Sequence, residues 1–440
     1  MVFVGVGLGA VLFVAGAFGF VRSRSSDDIT TSAAGAVVVP EEIAAATNPS
    51  GASLEALITS LQTRLEATPK DYVSWATLGL AYVQQAKVTI NPEFYPRADG
   101  ALAESIAIND DDNFLAYAGL SALASARHDF AAAKAFAERG LTMNSYSAIL
   151  YGALSDAEIQ LGNYTAGFEA VQRMVDLSPD TSSLSRASYS WELRGEIDKA
   201  KALMQRAFDD APTPADRAFA AFYLGELAFN EGDVNAALDY YNTAQAESPQ
   251  DPAALYGKAK AEAALGQTET ALFHFEELVS RAPEPSYIVE YGELLESLGR
   301  TAEAQQQYDV FAATQILFEA NGVEPDATPT LFYADHGDPE RALRDAQRAI
   351  ETRPFLVMYD AYAWALHMNG RDGEALEAIS VAMELGLRNA LFHYHAGMIM
   401  HSLGDDDGAR VQLTSALEIN PYFSSLLAPI ARATLDGLNG

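Results

Sequence analysis

The sequence predicts an all-α solenoid of about ten helix–turn–helix units, preceded by one N-terminal transmembrane helix. Three observations carry that expectation. Glycine-bearing turn signatures recur along most of the chain: LGNY at 161, RGEI at 194, EGDV at 231, LGQT at 265, LGRT at 298, HGDP at 336, NGRD at 369 and LGDD at 403. Their glycines, from Gly162 to Gly404, stand 33, 37, 34, 33, 38, 33 and 34 residues apart. Second, the residues after each turn follow a fixed scheme. A small residue comes five positions after the glycine (Ala200, Ala237, Ala271, Ala304, Ala342, Ala375, Ala409), where two helices must approach closely. A larger apolar side chain follows four positions later on the same helix face, as in Tyr241, Phe275, Tyr308 and Leu413. Proline often stands seventeen residues past the glycine (Pro179, Pro212, Pro249, Pro283, Pro354, Pro421), where its missing N–H ends a helix. Third, Val2 to Val21 carries no charge. A chain of 440 residues would ordinarily make two to four globular domains, but a period this regular describes an array that grows in one dimension.

Taken in order, the uncharged run of residues 2–21 is long enough to cross roughly 30 Å of hydrocarbon as a helix. Its start, GVGLGA, imitates a dinucleotide fingerprint, yet the following AVLFVAGAFGF is apolar all round and no strand pattern follows, which excludes that reading. Gly5 and Gly9 form a GxxxG pair suited to close helix packing. The run lacks a basic n-region, and the nearest A-x-A, Ala34 to Ala36, lies far beyond its end, so an uncleaved anchor is expected. The expected localisation is a single-pass membrane protein with residues 1–22 as anchor. Arg22 and Arg24 favour a cytoplasmic C-terminal side, but two arginines leave the side open. Residues 23–52, rich in Ser, Thr, Ala, Gly and Pro, read as a flexible linker, and 53–440 as the solenoid.

Within the solenoid, residues 75–82 read WATLGLAY, which fits the W-x2-L-G-x2-Y opening of a tetratricopeptide repeat. RHDF at 127 places His128 where a turn glycine would stand, 34 residues before Gly162. The chain resembles the tetratricopeptide repeat family over about residues 55–435. That resemblance implies a right-handed superhelix of antiparallel helix pairs, its concave wall lined by each first helix. The terminal LLAPIARATL would cap the last apolar face. Some stretches depart from the pattern. The first unit carries an insertion between Tyr82 and Ala98, and the second helix of the seventh runs long through QQQYDVFAATQILFEANGV. The eighth opens poorly, with Pro325 and Pro329 near its start, so a hinge is expected near 320–330. The segment LEALITSLQTRLEATPKDYVSWATLGLAYV is also similar to the entry into the repeats of membrane-anchored assembly factors, such as those of cytochrome c maturation.

The resemblance assigns repeat positions 2, 5, 9, 12 and 13 to the concave wall. Here they gather aromatics and acids: Tyr189 and Glu192, then Phe219, Phe222, Glu226 and Phe229, then Tyr256. Glu293 and Glu296, Asp360 and Trp364, and Tyr394 continue the row. Aromatic anchors beside carboxylates suit a basic or amphipathic peptide, with apolar burial supplying affinity and charge supplying steering. Sixty acids against twenty-eight bases give a formal net charge of −32, which repels nucleic acid. Salt adaptation is the competing explanation of that charge. Repeat proteins that clamp acidic chaperone tails use Lys and Asn where this chain has Ala76 and Leu80, so that activity is not expected.

No G-x-S-x-G, H-E-x-x-H or phosphate loop is present, and there is no cysteine, so neither an enzyme nor a cofactor is expected. NDDDN at 109 and GDDDGA at 404 lack the alternation of a calcium loop and read as helix caps. In FHYHAGMIMHSLGDDDGA, His393 and His395 point about 200° apart on a helix, so its three histidines cannot converge on one ion. His367 and His401, one unit apart at the same repeat position, remain as groove histidines or a metal pair. The function expected from these observations is a membrane-tethered scaffold holding a protein or peptide partner in an acidic, aromatic-lined groove. Its alternatives are a metal- or cofactor-handling assembly factor and a structural subunit of a membrane complex.

Overall fold

Why the units form helices is local chemistry. Many of the helices open after a residue whose side chain accepts from a free amide of the first turn. Asp129 accepts from the Ala132 amide at 3.0 Å, Asp233 from Ala236 at 3.1 Å and Asp405 from Gly408 at 3.0 Å. In the NDDDN run the capping residue is Asn113, which bonds the Ala116 amide at 3.3 Å, rather than one of the aspartates. The computed structural model describes residues 51–439, and side chains from Leu54 onward. The expected spanning segment, Val2 to Val21, and the linker up to residue 50 lie outside the described residues.

The described residues form twenty-two helices and no strand. A leading helix α1 (Gly51–Ala67) packs on the first of ten antiparallel pairs. These are α2 (Tyr72–Thr89) with α3 (Phe94–Ile108), α4 (Phe114–Ala126) with α5 (Phe130–Met143), and α6 (Ala148–Gln160) with α7 (Tyr164–Leu177). There follow α8 (Thr181–Glu192) with α9 (Ile197–Asp209), α10 (Pro214–Asn230) with α11 (Val234–Glu247), and α12 (Pro252–Ala264) with α13 (Thr268–Arg281). The last four are α14 (Pro285–Ser297) with α15 (Thr301–Ala320), α16 (Ala327–Asp335) with α17 (Pro339–Thr352), α18 (Leu356–Met368) with α19 (Asp372–Met383), and α20 (Ala390–Ser402) with α21 (Asp406–Ile419). Helix α22 (Leu427–Asn439) caps the array. The alanines five residues past each turn glycine are buried, as the close approach of paired helices requires, and so are Tyr241, Phe275, Tyr308 and Leu413.

The array does not stay open. Its turns meet the loops of units that follow 192 to 196 residues later. The Glu324 amide donates to the Arg127 carbonyl at 3.2 Å, and a His128 ring nitrogen lies 2.8 Å from the Glu324 carbonyl oxygen. Arg353 donates to Gln160 at 2.5 Å, and the Leu356 amide donates to the Tyr164 hydroxyl at 2.9 Å. Arg388 pairs with Glu231 at 3.2 Å. The superhelix therefore comes round onto itself, the second to fifth units against the seventh to tenth. The segment 321–326, where a hinge was expected, is the part of the seventh-to-eighth junction that touches the second unit.

Turn glycines of one period thus have two kinds of surroundings. Gly195 has φ of +70°, and a Cβ there would fall 2.3 Å from the Gly386 carbonyl oxygen. Gly370 has φ of +71° and nothing within 4 Å.

The expected membrane placement needs correction. Among the described residues no helix is long and apolar enough to cross a membrane, because even the 20-residue α15 carries polar side chains throughout. The single-pass assignment is withdrawn.

Two alanine substitutions separate backbone strain from closure. Gly370→Ala should cost about 1–2 kcal/mol, the penalty of a Cβ in the left-handed region. Gly195→Ala should cost roughly 1–3 kcal/mol more, because the Gly386 loop must also move. Equal losses in urea midpoint for the two variants would show that the contact between turns contributes nothing.

Candidate partner-binding site

Consecutive first helices pack side by side across the repeats and form one wall of the array, the wall expected to face inward. The structure buries most of the side chains expected there. Tyr189, Phe222, Phe229, Tyr256, Trp364 and Tyr394 are buried, and so are Glu226, Glu293 and Asp360. Phe219 and Glu192 are half-buried, and the Glu296 side chain keeps 39% of its exposure. The cause is packing of these side chains against the neighbouring units. Tyr256 stacks on Tyr287 at 4.6 Å, and Trp364 on His395 at 4.3 Å.

Charge is paired inside this wall. Glu226 receives Lys260 through both oxygens at 2.8 and 2.9 Å and the Tyr241 hydroxyl at 2.5 Å. The Lys260 ammonium also sits 4.4 Å from the Phe229 ring centroid. The Tyr256 hydroxyl donates to Glu290 at 2.5 Å. His336 lies between Glu293 at 3.5 Å and Glu296 at 3.7 Å, while the Tyr308 hydroxyl donates to Glu296 at 2.7 Å. Further along, Trp364 donates to Asp335 at 2.7 Å, and the buried His395 pairs with Asp360 at 2.8 Å.

Burial governs the titration of these groups. It pushes Glu192 up to about 8, helped by the nearby Glu226 charge and opposed by a hydrogen bond from Asn230. Burial also raises Glu290, against the pull of Lys260, and moves Asp335 up to about 6. For His336, burial alone would lower the imidazole, but the Glu293 carboxylate outweighs it and the group is raised.

One part of the wall stays open. A cavity of about 200 Å³ lies between the fifth to seventh units and the segment 421–432. Glu290, Glu293 and Lys260 supply its charges, Phe229 and Phe275 its apolar floor, and the half-exposed Tyr422 its rim. Arg432, whose guanidinium donates to the Pro421 carbonyl, is a second cation at this site beside Lys260. Of the residues expected from the sequence, only Phe229 and Glu293 reach this cavity. Lys260, Glu290 and Arg432 were missed. For the first two a signal exists: each stands 34 residues from its partner, Lys260 from Glu226 and Glu290 from Tyr256.

The two histidines kept as a possible metal pair are each held by the second helix of their own unit. His367 lies 2.5 Å from Asp372, and His401 3.0 Å from Asp406, with Ser402 donating to Asp372 at 2.7 Å between the units. Among the described residues no group of three or more ligand-type side chains is placed to hold a metal ion.

Tetratricopeptide repeat models match residues 228–290 and 194–252. No curated protein matches the chain. Among solved structures, a tetratricopeptide repeat protein from Parabacteroides merdae is 18% identical over 59% of this chain and 99% of its own, with a TM-score of 0.34. The Cut9–Hcn1 hetero-tetramer of APC/C is 13% identical, covering 89% of this chain and 84% of that one, at a TM-score of 0.43. A human IFIT1 dimer with PPP-AAAA is 13% identical, covering 83% and 86%, at a TM-score of 0.45. Likenesses this distant carry no functional argument.

Two measurements probe the wall. Lys260→Met should destabilise the protein by about 3–5 kcal/mol by leaving Glu226 buried and uncompensated, and adding Glu226→Gln should restore most of that loss. Should the double variant be as unstable as the single one, the charge pair is not the cause. For Glu192, the folded pKa is raised, so its contribution is fully present below the unfolded value and is lost as pH rises toward about 8. Glu192→Gln should therefore gain on the wild type progressively from about pH 5 to pH 8 in denaturation midpoint. A gap that does not change with pH would rule this out.

Proposed function

We propose that this chain, a tetratricopeptide-repeat protein, is a scaffold for protein–protein interaction that takes a basic segment of its partner at the cavity between the inner wall and residues 421–432. Such repeats bind proteins or peptides. The finer reading is carried by one observation: Glu290 and Glu293 face a cavity floored by Phe229 and Phe275 and rimmed by Tyr422. Carboxylates beside aromatic rings suit a guanidinium or ammonium on an apolar stem, which meets charge at its head and ring surface along its length. Lys260 and Arg432 show that the site accommodates cationic side chains, so a basic segment would enter in place of Arg432 at the rim. A volume of about 200 Å³ fits one or two side chains rather than a helix, so the partner would anchor by a few residues and lie along the exposed edge of the wall. Glu296, with 39% of its side chain exposed, stands at that edge.

Fluorescence anisotropy with labelled ten-residue peptides tests this reading. A peptide alternating Arg and Leu should bind, with affinity falling as salt rises, while peptides alternating Ser and Leu or Glu and Leu should not. Glu293→Gln and Tyr422→Ala should each weaken the Arg peptide at least tenfold. Equal binding of the Ser peptide, or no change in either variant, would refute the proposal.

A further inference from the structure

The array departs from its own period at four places, and the fold brings all four together. The insertion of the first unit contributes Lys87, Ile90 and Tyr95, and the second unit contributes His128 in place of its turn glycine. The overlong α15 contributes Gln315 and Phe318, and the proline-bearing start of the eighth unit contributes Pro325 and Pro329. They enclose a cavity of about 150 Å³ where successive turns of the superhelix meet. Breaks in a repeat rule that converge in space are expected at a functional site rather than at random.

Backbone strain points to the same place. Ile90 (φ 51°) and His128 (φ 62°) are the two non-glycine residues with left-handed backbone among the described residues, and both line this cavity. For a β-branched residue such as Ile90 that conformation is a true outlier, and strain of this kind gathers at binding sites.

The third observation is chemical. The Lys87 amine is buried and has no hydrogen-bond partner among the described residues. The acids around it are committed elsewhere. Glu284 caps α14, accepting from the Ser286 hydroxyl and from the Ser286 and Tyr287 amides at 3.1 and 3.3 Å. Asp326 caps α16 through the Thr328 amide at 3.0 Å, and Asp251 caps α12 through Ala253 at 3.0 Å. Glu319 takes Arg341 at 3.0 Å, and Glu324 is exposed with its carbonyl on His128. Arg186, the nearby cation, is bound to Asp156 at 2.8 Å. The remaining lining is largely apolar, with Val83, Ala86, Ala126, Phe318 and Val323.

We infer that this cavity between turns is a second binding site, for a small monocarboxylic acid with an apolar body about one ring across, whose carboxylate pairs with the Lys87 ammonium. A buried amine with no hydrogen-bonding acceptor is completed by one, and the apolar part of the lining selects what that carboxylate is attached to. The size follows from the volume, since an apolar cavity near 150 Å³ accommodates a molecule of benzene's dimensions. Burial, and then the Arg186 charge, holds the Lys87 amine down to about 7, with Asp251 acting in the opposite sense. His128 is lowered by burial and by Arg353, while burial moves Glu284 up to about 7 and Tyr95 up to about 12. A carboxylate beside Lys87 would raise the amine again, so binding near neutral pH takes up a proton. The site is separate from the cavity beside 421–432, and either can fail without the other.

The test uses the full chain with benzoate, benzyl alcohol and benzylamine, followed by thermal shift and by calorimetry in two buffers of different ionisation enthalpy. Benzoate should raise the melting temperature more at pH 6 than at pH 8.5, with net proton uptake at pH 7.5, and the other two should not. Lys87→Met should melt at or above the wild type, having lost an unpaired buried cation, and should bind benzoate at least tenfold more weakly. The wild-type comparison stands even if that variant does not fold. Benzyl alcohol matching benzoate, benzoate binding without proton uptake, an unchanged Lys87→Met, or no shift with benzoate would each overturn the assignment.

Discussion

Contact between successive turns of the superhelix is the constraint on which the rest of this structure depends. An open repeat array is held only by its neighbours, and its stability is close to a sum of unit and interface contributions. Here the backbone carbonyls of Gly386 and Pro354 come against the turn glycines of units almost two hundred residues away, and Arg353 and Tyr164 bond across the same gap. These contacts set how tightly the array winds. The winding in turn decides how much of the inner wall is left for anything else.

Stacking consecutive first helices brings acidic side chains together, and the chain answers with pairing at the repeat interval. Lys260 follows Glu226 by one unit, and Glu290 follows Tyr256 by one unit. Desolvating a carboxylate is expensive, so each that enters the wall brings a hydroxyl, an imidazole or an ammonium with it. Glu192, with only Asn230 to help it, shows the result of leaving a carboxylate nearly alone, as its upward displacement records. The aromatic rings that looked like anchors for a partner are mostly used up in packing one unit on the next.

Much of the fold was legible in the residues. The turn glycines, the alanines five positions on and the closing prolines mark eight of the ten helix pairs, because each reports a local requirement: a left-handed turn, a close helix contact, a helix end. The capping helix was also visible in LLAPIARATL. What could not be read was the closure, since Gly195 and Gly370 meet the same local requirement and differ only in what lies opposite. The residues expected to line an open groove do lie on first helices, and most of them are buried. The departures from the period, His128 and the first-unit insertion among them, were noticed singly. Nothing short of the three-dimensional course of the chain could show that they meet.

Closure also changes how such a chain can evolve. Open arrays lengthen and shorten by gaining or losing whole units, because each new interface copies an old one. In this array the partners of Gly162, Gly195 and Gly232 are counted from the other side of the turn. Removing a unit between them would shift every cross-turn contact out of phase at once, even though each local interface survived. A change in the number of units between them therefore requires rebuilding that whole set of contacts together.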